Sequence, residues 1–297
     1  MTTKNMANLK DLKVRINSVK STQKITRAMK VVSASKLRRA RERAEAAAPY
    51  AERMERMLAT LAANANKDSA PKLLVGNGRD QKHLIVVVSS DRGLCGGFNA
   101  HLLKAARAKI AKLKAEGKDI SIFTIGKKAY DQLVLSNKQE IVDSVDGISK
   151  KKAIPFEDAS DQTAKIISMF ENNQFDVCTV FYNKFISAIS QQVTEQQLIP
   201  FDLPDAGQGS ASDSVYEYEP SENQILDDLL PRNLAVQLYN AFLENSASEH
   251  GARMTAMDNA TRNAGEMIKG LTLVYNRTRQ AAITTELIEI IAGAEAV

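Results

Sequence analysis

From Met1 to Ala48 the chain contains neither glycine nor proline, and from Arg232 to Val297, 66 residues, it contains no proline. Nothing in either run forces a turn or removes a backbone donor, so each can carry a helix several times the usual length. Such helices bear an apolar stripe that must be covered, and another such stripe lies at the opposite end of the chain. The two ends are therefore expected to pair antiparallel, as a two-stranded rod projecting from a compact middle.

Composition favours that extended shape. Aromatic residues make up 5% of the chain and tryptophan is absent, whereas thin helix pairs are built from Ala, Leu, Ile and Met. Charge divides between the ends: residues 1–60 hold fifteen Lys/Arg against five Asp/Glu, and residues 221–297 hold six against ten. The opposite signs support pairing. The surplus of positive charge on the N-terminal run is either a solvated face or the side offered to an acidic partner.

Spacing sharpens the pairing. Leu9, Leu12, Ile16, Val19, Gln23 and Thr26 step alternately by three and four, a heptad seam that turns polar after two turns. A second stripe, Ile25, Met29 and Val32, opens on a neighbouring face, so this stretch is expected to meet more than one surface. At the other end the seam reads Met254, Met257, Thr261, Ala264, Ile268, Leu271, Tyr275, Thr278, Ala282 and Thr285. Half of these knobs are small or polar, which brings backbones close without the grip of a leucine zipper. Pro49 is expected to kink or restart the first helix, and Pro231 to delay the second until about Arg232.

The middle reads as a parallel α/β sheet. Apolar or β-branched runs at 83–90, 120–126, 140–145 and 176–183 alternate with helical stretches at 98–116, 126–136 and 157–173. The alternating segment 185–199 suits an added edge strand. The division expected is an N-terminal shaft helix over 1–70, a Rossmann-like domain over 71–200, a linker over 201–220 and a C-terminal shaft helix over 221–297.

Signs of chemistry are sparse. The turn SSDRGLCGGFN, residues 89–99, joins a strand to a helix, where glycines and helix amides can hold phosphate. It lacks the GK[ST] ending of a nucleoside-triphosphate loop and the GxGxxG of a dinucleotide site, and so reads as a structural turn displaying Asp91, Arg92 and Cys95. His83, His101 and His250 stand far apart, without metal-ligand neighbours. Cys95 and Cys178 are separated by 83 residues and form no CxxC, which argues against a metal site or structural disulfide and fits a reducing compartment. Neither catalytic residues, a cofactor nor a metal is expected. The N-terminus lacks a signal-peptide core, and no apolar run reaches the roughly 18–20 residues of a bilayer span. The basic residues from Lys20 to Arg43 are not interleaved with aromatics for base stacking, which favours an acidic protein partner over nucleic acid.

Three long stretches, INSVKSTQKITRAMKVVSASKLRRA at 16–40, the turn at 89–99, and RMTAMDNATRNAGEMIKGLTLVYNRTRQAAITTELIEIIAGAEAV at 253–297, together resemble the gamma subunits of rotary F-type ATP synthases. The resemblance covers essentially the whole chain. It implies an antiparallel coiled coil of both termini with a Rossmann-like α/β domain at its foot, acting as a central rotor stalk. Torque would pass between an ion-driven c-ring and a ring of three alpha and three beta subunits, with an epsilon subunit below. The stalk would do no bond chemistry and would lie peripherally on the cytoplasmic face of the bacterial inner membrane. Arg27, Met29 and Lys30 match the segment facing an acidic lever loop of beta, and Cys95 matches a turn near that lever. Arg279 and Gln280 match a pair engaging another beta loop. Ile283, Leu287, Ile288, Ile290 and Ile291 match a tip held in an apolar collar. The closely spaced cysteine pair of plant relatives is missing. The alternative is a coiled-coil tether without a rotary role, distinguished by the partners it purifies with.

Overall fold

The computed structural model describes residues 2–64, 71–151, 153–201 and 222–295. Its elements run α1 (Thr2–Asn64), α2 (Lys72–Val75), β1 (Lys82–Val88), α3 (Phe98–Ala115), β2 (Asp119–Ile125), α4 (Lys127–Asn137), β3 (Ile141–Val145), α5 (Phe156–Glu171), β4 (Val177–Phe185), β5 (Gln191–Ile199) and α6 (Glu222–Glu295). The expected linker at 201–220 lies, apart from Phe201, outside the described residues. No helix among those described is long and apolar enough to cross a membrane.

The residues gather into two compact units, Met1–Ser33 with Arg253–Val297, and Ala34–Ala252. Both long helices contribute to each. Compactness thus groups residues 34–64 and 222–252 with the α/β body, although the sequence pattern joins them to the helical runs.

In the larger unit five strands lie in the order β3-β2-β1-β4-β5. The first four are mutually parallel, and β5 pairs antiparallel with β4. β1 shows why its sequence is continuously apolar. Leu84, Val86 and Val88 face one core with α5 and the 234–242 stretch of α6, while Ile85 and Val87 face the other with α3 and α4. Side chains alternate across a strand, so burial on both faces demands an unbroken apolar run. α5 needs only one apolar face. Ala159, Thr163, Ile166 and Phe170 recur at helical spacing toward the sheet, and Glu157 and Asp158 in its first turn complement the helix dipole.

The structure redraws three boundaries. The edge strand expected over 185–199 is β5, but it starts only at Gln191: Phe185 closes β4, and a tight turn precedes β5, with the Ser187 hydroxyl oxygen accepting from the amides of Ile189 (3.3 Å) and Ser190 (3.0 Å). α6 does not wait for Arg232 but begins at Glu222 and runs through Pro231. Of the two readings of Pro49, a new start falls away, since α1 continues through it. A proline inside a helix costs about 3 kcal/mol, and full burial of Leu226 and Leu230 beside Leu74 returns about 1.5–3 kcal/mol for each leucine.

The smaller unit is an antiparallel helix pair. The less exposed positions of α1 are the expected seam: Leu9, Leu12, Ile16, Val19, Gln23 and Thr26. On α6 the same holds from Met254 as far as Ala282, while Thr285 is already exposed. Polar contacts fix the register. The hydroxyls of Thr26 and Thr261 lie 2.8 Å apart, Gln23 Nε2 donates to the Thr261 carbonyl at 3.4 Å, and Lys30 Nζ meets Asp258 Oδ1 at 2.6 Å. Gly265 lets Gln23 in, for a β-carbon there would stand 3.0 Å from its amide nitrogen. Few alternative registers satisfy these groups at once, which is the use a coiled coil makes of a polar layer.

Candidate functional site

In a doubly wound sheet, ligands bind outside the carboxyl ends of the strands, where the strand order reverses. Here the reversal lies between β1 and β4, because α3 and α4 cover one face and α5 the other. The glycine-rich turn follows β1 directly, so the place expected for a nucleotide is present. It is filled from within. Cys95 and Phe98, at the start of α3, form a buried cluster with Ala252 of α6, and a β-carbon on Gly251 would already touch Ala188 and Phe185 at 3.4 Å.

The turn itself is organised around buried polar groups. Asp91, expected on display, is only 5% exposed. Its carboxylate accepts from the amides of Lys127 (3.1 Å), Gly147 (3.0 Å) and Ser149 (3.1 Å), and from the Ser149 hydroxyl (2.9 Å). One side chain thereby ties the end of β1 to the start of α4 and to the loop after β3. Burial alone would raise its pKa, but the amides of Gly147 and Lys127, the Ser149 hydroxyl and the Lys150 charge outweigh it and hold the carboxyl below its ordinary value. Gly126, next to this junction, has φ +100°, and a β-carbon there would fall 2.3 Å from the Ser89 carbonyl oxygen. Only glycine fits.

Cys95 is also buried, at 2% exposed. Asn99 Nδ2 donates to its Sγ at 3.4 Å and to Ser90 Oγ at 2.8 Å. The thiol therefore offers no surface for contact in this chain; Leu94 beside it, held at φ +64° and well exposed, is what the turn presents. The reason is packing: a small apolar thiol next to Phe98 completes a core, which a motif read for chemistry does not reveal.

On the helix pair, Arg27, Arg279 and Gln280 are exposed and Met29 is half-buried. Lys30 is engaged within the chain by Asp258. The Lys30 hydrogen bond and charge hold the Asp258 carboxyl below its ordinary pKa. Its positive charge is thus partly neutralised before any partner arrives. Ile25, Val31 and Val32 stand exposed around Met29, so the second stripe is a free apolar face. Ile283, Leu287, Ile288, Ile290 and Ile291 are exposed as well. On the described part of α6 these residues follow Ala282, the last shielded position of the seam.

Two groups escaped the sequence reading. Asp258 is the first, although its acidic side chain on the edge of a seam facing a basic helix is a usable sign. Glu244 and Asn245 are the second, and both bond to β4. The run from Glu244 to His250 is polar apart from Ala247 within a helix otherwise covering a sheet, and that contradiction is the signal.

The ATP synthase family model matches residues 8–297. Among curated relatives, the ATP synthase gamma chain of Rhizobium etli is 57% identical over 294 residues, spanning 98% of this chain and 100% of that one. The gamma chain of Paramagnetospirillum magneticum is 55% identical over 294 residues with the same coverage. Of solved structures, a Euglena gracilis mitochondrial ATP synthase assembly of OSCP, F1 and c-ring contains a similar chain at TM-score 0.70 and 21% identity, covering 98% of this chain and 94% of that one. A Tetrahymena thermophila central stalk and c-ring structure gives TM-score 0.60 at 24% identity, covering 80% of this chain and 99% of that one. These two speak for the fold.

Proposed function

Since this chain belongs to the ATP synthase gamma-chain family, we infer that it is the central rotor stalk of an F-type ATP synthase. It transmits torque between an ion-driven c-ring and a catalytic ring of three alpha and three beta subunits. The observation that carries this reading is the full-length relationship to gamma chains, which takes in both terminal helices as well as the α/β body. Partners are the alpha, beta and epsilon subunits and the c-ring, and the location is peripheral, on the cytoplasmic face of a bacterial inner membrane.

Contacts follow from what the helix pair leaves open. Arg27, Met29 and the apolar Ile25 and Val32 face a beta loop, with Lys30 adding a charge already shared with Asp258. Arg279 and Gln280 engage a second beta loop, and the turn carrying Cys95 meets beta through exposed Leu94. The tip residues Ile283, Leu287, Ile288, Ile290 and Ile291 turn in an apolar collar. A seam of alanine, threonine and glutamine with scattered exposed charges gives few deep anchors, as a shaft that must keep moving requires. The basic face of α1 then serves acidic protein surfaces and not nucleic acid.

Affinity purification through this chain from its native membrane should yield alpha and beta at three each per copy. Another set of partners, without those two, would turn the assignment to a tether. The stalk does no chemistry in this reading, because α6 occupies the crevice that a nucleotide would use. The isolated chain is therefore expected to show no saturable ATP or NAD binding at millimolar ligand by calorimetry. Stoichiometric binding would contradict it.

A further inference from the structure

β4 is longer than the strand beside it. β1 pairs with it only from Val177 to Phe181, yet β4 continues to Phe185, and on its other edge β5 accompanies it to that end. Amides of successive strand residues point to opposite edges, so those of Asn183 and Phe185, two apart, share one edge. Both are met by side chains of α6. Asn245 Oδ1 accepts from the Asn183 amide at 3.2 Å and from Asn183 Nδ2 at 3.4 Å, and Glu244 Oε2 accepts from the Phe185 amide at 2.7 Å. Asn183 and Asn245 are buried. The helix supplies the acceptors that a further strand would.

Resting on the rotor reading, we infer that Glu244 and Asn245 are positioning residues that fix the rotational and axial setting of α6 on the sheet, so that torque on the α/β body reaches the helix continuing to Glu295. Apolar packing of Leu234, Leu238, Ala241 and Phe242 on the sheet holds the helix against it. Packing of that kind is non-directional and tolerates small slides. Hydrogen bonds to a strand backbone have sharp distance and angle requirements and do not. Two adjacent helix residues bound to two amides of one strand make a clamp that resists twisting as well as separation. A clamp idle at rest would be stressed when the shaft turns under load.

The test uses the whole complex in inverted membrane vesicles, with Glu244→Met and Asn245→Leu combined. Assembly and ATP hydrolysis should persist while ion pumping per ATP hydrolysed falls about threefold or more. Glu244→Gln alone, which keeps an acceptor oxygen, should restore the wild-type ratio. A double variant that assembles with an unchanged ratio, or loses hydrolysis and pumping together, would overturn the clamp. If the double variant fails to assemble, Glu244→Ala, at a partly buried position, decides by the same ratio, and failure of that variant to assemble would also overturn it by making the pair a folding requirement. Wild-type chain that does not purify with alpha and beta would instead sink the rotor reading itself.

Discussion

Replacing Asp91 by alanine should lower the stability of the α/β body by about 3 kcal/mol or more, because three backbone amides and one hydroxyl lose an ionised acceptor at a site closed to water. Each buried donor left unpaired costs about 1–3 kcal/mol, so partial relaxation still leaves a large deficit. The pH dependence identifies the cause. A carboxyl whose folded pKa lies below its ordinary 3.8 stabilises the fold fully above that pH and loses the contribution as pH falls through the folded value. The gap in urea midpoint between wild type and Asp91→Ala should therefore be constant from neutral pH down to about 5 and begin to narrow below about 4. A variant as stable as wild type at pH 7 would remove Asp91 from the framework of the turn.

The second large effect belongs to the tip. Past Ala282 the described residues of α6 are all exposed, and a short helical stretch without packing is marginal in water. Five large apolar side chains, Ile283, Leu287, Ile288, Ile290 and Ile291, stand about half exposed there. In the isolated chain amide exchange should be fast beyond about Thr285 and slow along the seam from Met257 to Leu271. Assembly should cover these side chains, contributing on the order of 5 kcal/mol in total. Exchange at the tip should then slow about a hundredfold or more, read by mass spectrometry of free and assembled chain. Slow exchange throughout 283–295 in the free chain would show that the tip holds itself, and the bearing role would fall.

What was readable in the sequence follows from local physics. The two helical ends show because glycine and proline are the residues that interrupt helices. The heptad positions show because burial in a helix pair repeats every three and four residues, and the positions predicted from Leu9 to Thr26 and from Met254 to Ala282 are the shielded ones. The parallel strands show because burial on both faces leaves no room for alternation. The resemblance to gamma subunits rests on those same stretches.

Other properties needed the tertiary structure. Asp91 and Cys95 look displayed in a glycine-rich turn, and only the arrival of α4, the loop after β3 and α6 buries them. Lys30 reads as a free cation until the register sets Asp258 beside it. Pro231 reads as a break, because the leucines that hold the helix together on either side are covered by residues distant in the chain. Glu244 and Asn245 have no motif, since their partners are the amides of a strand that outruns its neighbour. Periodicity records which face of an element is covered, and it was enough to determine the helices, the strands and the pairing of the ends. Which residue does the covering depends on contacts between segments far apart in the chain, and those were decided by the folded structure alone.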